Sequence, residues 1–350
     1  MAYTTVNKST ANFNTKLWAG NGSSQALTGV GHQTDMVWIK SRTDTRKHNL
    51  YDVVRGVQKR IVPNDTVAED TVPGVTAFGT DGFTVGSETD TNGGSRNFVG
   101  WSWKAGTTSG INQDSATITP TGYSFNQTAG FSIIKYTGTG STATLPHGLG
   151  ATPNLIIIKK LTGGADNWTW KSDGGVSGYT GFTKYMYMNN AAVGVATDSS
   201  NEFQYNPTST KFSLGTNGGV NGSGATYVAY CFANKVGYQK IGGYVGNGNG
   251  DGYFLPLGFR PKLIITHRLD SGDAWTMLDS VRDHDNGVAH RLFPHQNNAE
   301  NTSLDVCDFL SNGVKFRTGD AAFNDTGGVY VYWAIGQSLV GSNNIPCTAR

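Results

Sequence analysis

The densest group of residues that could bind a metal or transfer protons lies between positions 283 and 295. It contains Asp283, His284, Asp285, His290 and His295. His290 and His295 are an odd number of residues apart, so on one extended strand their side chains would point to opposite faces. A shared metal ion would need a bend between them. We therefore expect solvated or hydrogen-bonded histidines here rather than metal ligands.

Two other stretches imitate calcium-binding loops. Residues 88–93 resemble the start of an EF-hand loop, but Val99 stands where the twelfth position needs a bidentate glutamate. Residues 246–252 resemble one unit of a calcium-binding β-roll, which requires several stacked units. We expect a long hairpin turn at the first stretch and a loop at the second, and we predict no metal and no cofactor.

The remaining reactive residues do not form a catalytic motif. His147 stands just before a strand and is typical of a turn, and the chain has no Gly-x-Ser-x-Gly elbow, His-Glu-x-x-His or phosphate loop. Cys231, Cys307 and Cys347 are odd in number and far apart, which predicts reduced thiols. The protein is predicted not to be an enzyme. A polysaccharide depolymerase stays an alternative, because paired carboxylates for glycoside cleavage have no local signature.

Three tryptophans are candidates for contact with a ligand at the surface. Trp168, Trp170 and Trp275 lie near glycine and aspartate residues, which indicates partial exposure. Exposed aromatic rings can stack on sugar faces, whereas buried ones pack in a core or a protein interface. Both interpretations remain open from the sequence.

The composition limits the fold and the partners. Glycine occurs 48 times, aromatic residues make up 11% and charged residues only 15%, which favours strands and turns over helices. A net charge of +2 without a basic cluster argues against nucleic acid as a partner. The chain has no signal peptide and no 18-residue apolar run, so we expect synthesis in the cytoplasm without membrane insertion.

Five landmarks recur in the same order, at a period of roughly 110 residues that is typical of tandem domains. The first is an aromatic residue with a glycine-rich turn, at 18–22, 136–140 and 244–248. The second is an apolar strand, at 31–40, 150–159 and 258–267. The third and fourth are an aspartate–arginine pair and a proline followed by a glutamate, which the middle copy lacks; they are Asp52, Arg55, Pro63 and Glu69, and Asp279, Arg282, Pro294 and Glu300.

The fifth landmark is a hairpin and a closing strand. The hairpins lie at 78–83 and 309–314, and the closing strands at 98–103, 227–232 and 330–335. Alternate residues of each closing strand share one face, and on one face they are large and apolar. These predicted core residues are Val99, Trp101, Trp103, Val228, Tyr230, Phe232, Val331, Trp333 and Ile335. Smaller residues, including Cys231, occupy the opposite face.

The sequence therefore predicts an all-β protein of three tandem, related, antiparallel β-sandwich modules resembling jelly rolls. Module 1 covers residues 1–107. Module 2, preceded by a linker with one short strand, covers 108–236. Module 3 covers 237–350 and ends in a polar tail at 341–350. We expect each module to fill its own interior and to leave its loops for contact.

Several segments of the chain resemble a known family. Residues 3–10, 13–17, 35–40, 129–134 and 227–233 are similar to repeat-bearing, tail-fibre-like structural proteins of marine phages that infect cyanobacteria and related bacteria. The resemblance implies a virion structural protein that forms an exposed fibre or appendage and contacts the host surface. A capsid decoration protein on the head shell is the alternative, favoured by the lack of a tail-anchoring domain.

The resemblance also implies partners. We expect other virion proteins and further copies of this chain, with a trimer as one arrangement, and a glycan or protein of the host surface. The expected location is the virion.

Overall fold

The computed structural model describes residues 4–191, 196–197 and 202–341. Regular structure in this part of the chain is nearly all strand, with two four-residue helices and one short 3-10 turn, Ser9–Ala11. All strand pairs are antiparallel. The predicted all-β antiparallel fold is therefore confirmed.

The elements of the first third of the chain are β1 Phe13–Ala19, β2 Gln25–Thr28, β3 Met36–Ser41, β4 Asn49–Asp52, β5 Lys59–Arg60, β6 Asp70–Thr71, β7 Val75–Gly79, β8 Gly82–Val85, α1 Thr89–Asn92 and β9 Asn97–Trp103. The middle third contains β10 Gly122–Asn126, β11 Phe131–Thr137, β12 Ala143–Pro146, β13 Leu155–Lys160, β14 Thr169–Ser172, β15 Lys184–Tyr187, β16 Ala196–Thr197, β17 Lys211–Leu214, α2 Gly218–Asn221 and β18 Thr226–Phe232. The last third contains β19 Gln239–Val245, β20 Phe254–Pro256, β21 Arg260–Arg268, β22 Thr276–Asp279, β23 Cys307–Leu310, β24 Gly313–Phe316 and β25 Val329–Gln337.

One strand order occurs three times. Sheet I has the order β1-β9-β3-β4, and sheet III has the equivalent order β19-β25-β21-β22. Sheet II contains β11-β18-β13-β14 in the same order, extended by β10 at one edge and by β15 and β16 at the other. A smaller outer sheet goes with each of these: β2-β8-β7, β12-β17 and β20-β24-β23.

The apolar strands are buried on both faces. In β3 all six residues are buried, and in β13 the first five are. One face of each strand packs on the outer sheet and the other on a second core, so a continuous apolar run replaces the alternation of a half-exposed strand. The apolar runs of the second landmark therefore mark strands that lie between an outer sheet and the second core.

The second core is shared by all three sheets. It contains all nine predicted core residues of the closing strands, together with apolar residues of β3, β13 and β21. Trp333 of sheet III contacts the rings of Trp103 in sheet I and Phe232 in sheet II, at centroid distances of 5.8 and 4.2 Å. The expectation that each module fills only its own interior is therefore wrong, because the largest side chains fill a joint interior.

A separate core lies between each of the three sheets and its own outer sheet. The smaller residues of the closing strands face these, as Cys231 and Ala334 show. Cys231 and Cys307 are buried and free, and burial raises the pKa of the Cys231 thiol to about 12. Cys347 lies outside the described residues.

Several local predictions can be compared with the structure. The hairpins are present, with Gly79 paired to Gly82 and Leu310 paired to Gly313. The long hairpin turn expected at 88–93 is wrong: α1 connects β8 in the outer sheet to β9 in sheet I. The short linker strand is β10. The division into three modules with the stated boundaries stays a prediction, and the tail beyond residue 341 lies outside the described residues.

Candidate functional site

The three tryptophans predicted to be partly exposed are fully buried. Trp168, Trp170 and Trp275 each have 0% relative exposure. Trp170 packs against Trp275 at a centroid distance of 4.9 Å and against Trp333 at 6.2 Å. The indication of partial exposure is therefore wrong and the alternative, packing in a core, is what the structure shows, because these rings lie against neighbouring sheets that the sequence does not reveal.

Two of these rings connect neighbouring sheets. Trp168, next to sheet II, donates its indole N–H to the Val62 carbonyl of the first third, at 2.9 Å. Trp275, next to sheet III, donates in the same way to the Tyr187 carbonyl of sheet II, at 3.3 Å. His48 precedes β4 as these tryptophans precede β14 and β22, and its ring lies near the Phe293 carbonyl. The contacts therefore run in a ring, from II to I, from III to II and from I to III.

The first aspartate–arginine landmark forms a buried ion pair between sheets I and II. Arg55 Nε donates to Asp52 Oδ2 at 2.6 Å, and neither side chain is exposed. The same carboxylate oxygen accepts the hydroxyl of Tyr230 on the closing strand of sheet II, at 2.6 Å. Arg55 also donates to Glu69 at 3.1 Å and to the Leu50 carbonyl. Burial acts to lower the pKa of Arg55, but Asp52 and Glu69 outweigh it and the pKa is raised.

The second landmark repeats this arrangement between sheets III and I. Arg282 donates to Asp279 at 2.5 Å and to Glu300 at 2.9 Å, and the Arg282 and Asp279 side chains have no exposure. The indole N–H of Trp101 on the closing strand of sheet I donates to Asp279 at 3.0 Å. Arg42 donates to Glu300 from its Nε at 3.0 Å and from its Nη2 at 2.7 Å. Each acid is therefore fully paired, as a buried charge requires.

Sheet II has a hydroxyl at the position of these aspartates. Ser172 pairs with Leu155 in the register that joins Asp52 to Met36 and Asp279 to Leu263. Its hydroxyl accepts the indole N–H of Trp170 at 3.0 Å and shares a hydrogen bond with the Tyr179 hydroxyl at 3.1 Å. These hydrogen bonds stay within the middle third, and the contact with sheet III at this place is between aromatic rings, Trp170 with Trp275 and Trp333. This agrees with the loss of the aspartate and the arginine from the middle copy.

The sequence analysis missed three equivalent buried asparagines. Asn92 and Asn221 are the last residues of α1 and α2, and Asn324 follows the equivalent turn before β25. All three are unexposed, and each side-chain amide donates to backbone carbonyls of two loops. Each backbone carbonyl accepts the N–H of a glycine in the first landmark at 2.7 Å. The asparagines are Asn92, Asn221 and Asn324, and the glycines are Gly22, Gly140 and Gly248. The recurring asparagine in these turns was the available signal.

The same contact explains the glycine-rich turns. A Cβ atom at Gly20, Gly138 or Gly246 would lie 2.3, 2.4 or 2.3 Å from a backbone carbonyl oxygen of the opposite turn. No side chain fits at such a distance, so the backbone approach requires glycine. These turns are therefore structural, and the calcium-loop resemblance at 246–252 is explained by packing around Asn324.

The strands β3, β13 and β21 each carry a buried base beside the shared core. Lys40, Lys159 and His267 occupy the same register position, opposite Val99, Val228 and Val331 of the closing strands. Lys159 Nζ donates to the Thr66 and Asp166 carbonyls at 2.8 and 2.6 Å. Burial lowers the pKa of both lysines to about 8. His267 instead stacks on Trp275, with the ring centroids 4.3 Å apart.

His48 and His267 are buried, and the half-buried His295 lies close enough to influence the pKa of both. His48 Nδ1 accepts the indole N–H of Trp38 at 2.8 Å. Within the described residues, His48 Nε2, both nitrogens of His267 and Nδ1 of His295 form no hydrogen bond of normal geometry. Burial lowers the pKa of His267 to about 3 and that of His295 to about 4. Burial, followed by the charge of Lys40, holds the pKa of His48 well below its usual range.

The other histidines of the 283–295 group are paired or solvated. His284 is 78% exposed and contacts Asp285 at 2.7 Å. His290 Nδ1 contacts the Asp283 carboxylate, whose other oxygen accepts the backbone N–H of His290. Over the described ranges, no three histidine, cysteine, aspartate or glutamate side chains lie in an arrangement that could hold a metal ion.

Two of the clefts on the described surface are wide and open to solvent. The first, of about 530 Å³, lies between residues 284–286 and the β23–β24 turn and is lined by Arg260, His284 and Ser311, among others. The second, of about 580 Å³, includes Lys104 and Gln127 beside the linker. Both volumes are within the range of small-ligand sites, and polar and apolar side chains both line the clefts. They are open surface clefts rather than enclosed cavities.

Comparison with known proteins gives one match. The model of a family described as a domain of unknown function, DUF7483, matches residues 8–338 and so spans all three sheets. No curated protein and no solved structure shows significant similarity to the chain. In the described part of the chain, no helix is long and apolar enough to cross a membrane.

Proposed function

The chain belongs to the DUF7483 family, and we propose that it is a structural component of a bacteriophage particle, exposed as part of a fibre or appendage. The proposal is supported by the resemblance of five sequence segments to marine phage structural proteins. It is supported further by the use that the fold makes of its reactive side chains.

The observation that carries the proposal is where the charged and aromatic groups are placed. The two aspartate–arginine pairs are buried between sheets, and the tryptophans that could have bound sugars tie one sheet to the next. Such groups stabilise a single arrangement of three sheets and are closed to a substrate. This use of side chains suits a protein whose task is to keep its shape and to present its loops.

The open cleft beside Ser311 is the best candidate for contact with a host surface. Arg260, His284 and Ser311 present charged and hydroxyl groups around an accessible volume of about 530 Å³. Polar groups of this kind bind the hydroxyls and carboxylates of surface glycans through direct and water-mediated hydrogen bonds. Self-association stays a prediction. The three sheets of one chain already close a common core without a second copy.

Localisation on the particle tests the proposal most directly. Antibodies against the chain, with gold labels, are expected to mark fibres or appendages of phage particles that carry it. Label over the head lattice would replace the fibre role by capsid decoration, the alternative. Particles without label, and without the chain in their proteome, would overturn the virion role altogether.

Binding to host cells tests the contact surface. The substitution Ser311→Arg fills the cleft mouth and is expected to reduce binding of the purified chain to host cells at least tenfold. Val236→Arg is the matched control, since Val236 is 77% exposed and lies between β18 and β19. Equal binding by both variants would exclude this cleft. Release of reducing sugar from host polysaccharide would contradict the non-enzymatic role.

A further inference from the structure

We propose that the contact between the first and last thirds of the chain is an acid-sensitive latch, formed by His48, His267 and His295, which opens before the rest of the fold. The latch is a property of the fold and does not depend on the proposed role in a virion. It rests on where three imidazoles are placed and on what surrounds them.

The three rings bridge parts of the chain that are distant in sequence. His48 precedes β4 in the first third, whereas His267 ends β21 and His295 follows β22 in the last third. All three are buried side chains or nearly so, and His295 lies close enough to affect the charge of both other rings. Neighbouring backbone bonds complete the contact, as from Arg46 N–H to the Asn297 carbonyl at 2.8 Å.

The equivalent places in the other two contacts do not titrate in this way. Trp168 and Trp275 stand where His48 stands, and both donate to the neighbouring carbonyl. Asn64 and Asn189 stand where His295 stands, and they accept the backbone N–H groups of His48 and Trp168 at 2.8 Å. Lys40 and Lys159 stand where His267 stands, so none of the three latch positions is a histidine in its equivalents.

The surroundings oppose a positive charge on the rings. Lys40 on β3 and Arg282 after β22 face His48, and both lower its pKa, as does His295. His267 faces His295 and the aromatic plane of Trp275. The Phe293 and Asp273 carbonyls favour protonation of His48 and His267, but neither forms a hydrogen bond of normal geometry with its ring. No carboxylate is among the main influences on any of the three.

The direction of the effect follows from proton uptake. In the open state the rings are hydrated and their pKa returns to about 6.5, whereas in the closed state burial lowers it to about 3 for His267 and about 4 for His295. Between these pH values the open state binds more protons. Acidification from pH 7 towards pH 4 therefore favours opening, and return to neutral pH favours closure.

Hydrogen exchange on the full chain tests the latch. After correction for the intrinsic rate, backbone protection in peptides covering residues 42–50 and 293–300 is expected to fall at least tenfold between pH 7 and pH 4.5. Peptides covering 62–66 and 161–168, at the contact between sheets II and I, serve as the internal reference and are expected to keep their protection. Equal loss at both contacts would overturn the proposal, because it would indicate general acid unfolding.

Two variants show whether the histidines are responsible. His267→Phe keeps a ring on Trp275 without a titrating group, and it is expected to lower the pH midpoint of opening by at least half a unit. His295→Asn introduces the residue found at the other two contacts, and the same shift is expected; it also replaces His267→Phe if that variant does not fold. His284→Gln, at an exposed histidine, is the control and is expected to leave the midpoint unchanged. An unchanged midpoint in a folded latch variant would refute the latch.

Discussion

Two of the three contacts between sheets contain a buried ion pair, whereas the third has packed aromatic rings and a serine in the place of the aspartate. Asp52 accepts a hydrogen bond from Tyr230, and Asp279 accepts one from Trp101, each on the closing strand of a neighbouring sheet. Ser172 instead accepts a hydrogen bond from Trp170 within its own sheet. The three sheets nevertheless close on one core. The comparison teaches that the charge is dispensable at this position when the acid and the base are lost together, because no unpaired charge is then left in the core.

The largest expected effect comes from breaking one ion pair on one side only. Arg282→Ala removes the cation and leaves Asp279 buried beside Trp101, and it is expected to lower the free energy of unfolding by about 3–5 kcal/mol. Chemical denaturation at pH 7 measures this. Arg317→Ala, which removes a solvent-exposed ion pair with Asp308, is the control and is expected to change the unfolding midpoint little. Similar effects of both substitutions would show that the buried pair is not special.

Adding half an ion pair to the neutral contact is the converse experiment. Ser172→Asp places a carboxylate in the buried position of sheet II, where residue 175 is a glycine instead of the arginine found at 55 and 282. The expected loss is about 3 kcal/mol at pH 7. Because burial without a cation raises the pKa of a carboxyl group, the loss should shrink as the pH is lowered and the group is protonated. A loss that does not depend on pH would contradict this explanation.

The hydroxyl that reaches Asp52 from sheet II should contribute less than the ion pair itself. Tyr230→Phe removes one hydrogen bond to a charged group, and the expected cost is about 2 kcal/mol. Tyr205→Phe is the matched control, because Tyr205 is 68% exposed. Thermal unfolding of the two variants measures the difference. A cost equal to that of the control would mean that Asp52 is held by Arg55 alone.

The smallest expected effect is a partial recovery of stability when both charges of the ion pair are removed together. Asp279→Asn combined with Arg282→Met removes both charges and keeps an oxygen acceptor for the indole of Trp101. Glu300 retains Arg42 as its partner. The double variant is expected to be more stable than Arg282→Met alone by about 1–2 kcal/mol, which a double-mutant cycle measures. A double variant that is less stable than the single one would show that the ion pair is required for closure.

Much of the fold could be predicted from alternation and turn chemistry. The closing strands, the two hairpins and the low helix content follow from local sequence, because period-two patterns and glycine turns act over a few residues. The pairing of Asp52 with Arg55 and Glu69, and of Asp279 with Arg282 and Glu300, was visible as a repeated spacing. Their use was not visible, because a hydrogen bond from Tyr230 to Asp52 joins residues 178 positions apart.

The exposure of the tryptophans shows the same limit. Local neighbours such as Gly174 and Asp273 indicated surface positions, yet Trp170 and Trp275 are buried against each other. The asparagines that hold the turns were also missed, since only their recurrence, and no local pattern, distinguishes them from ordinary loop residues. The role of His295 depends on rings contributed by two other parts of the chain.

The strands, their two faces and the threefold recurrence of the landmarks along the chain follow from the sequence alone, because these depend on side-chain alternation and on repeated spacing. The order of the strands within each sheet does not. Only the tertiary structure decided that the large face of each closing strand meets its two counterparts in one core. The hydrophobic effect removes apolar surface from water but does not specify which other surface covers it. Which surface covers it therefore emerged only when all three sheets were assembled.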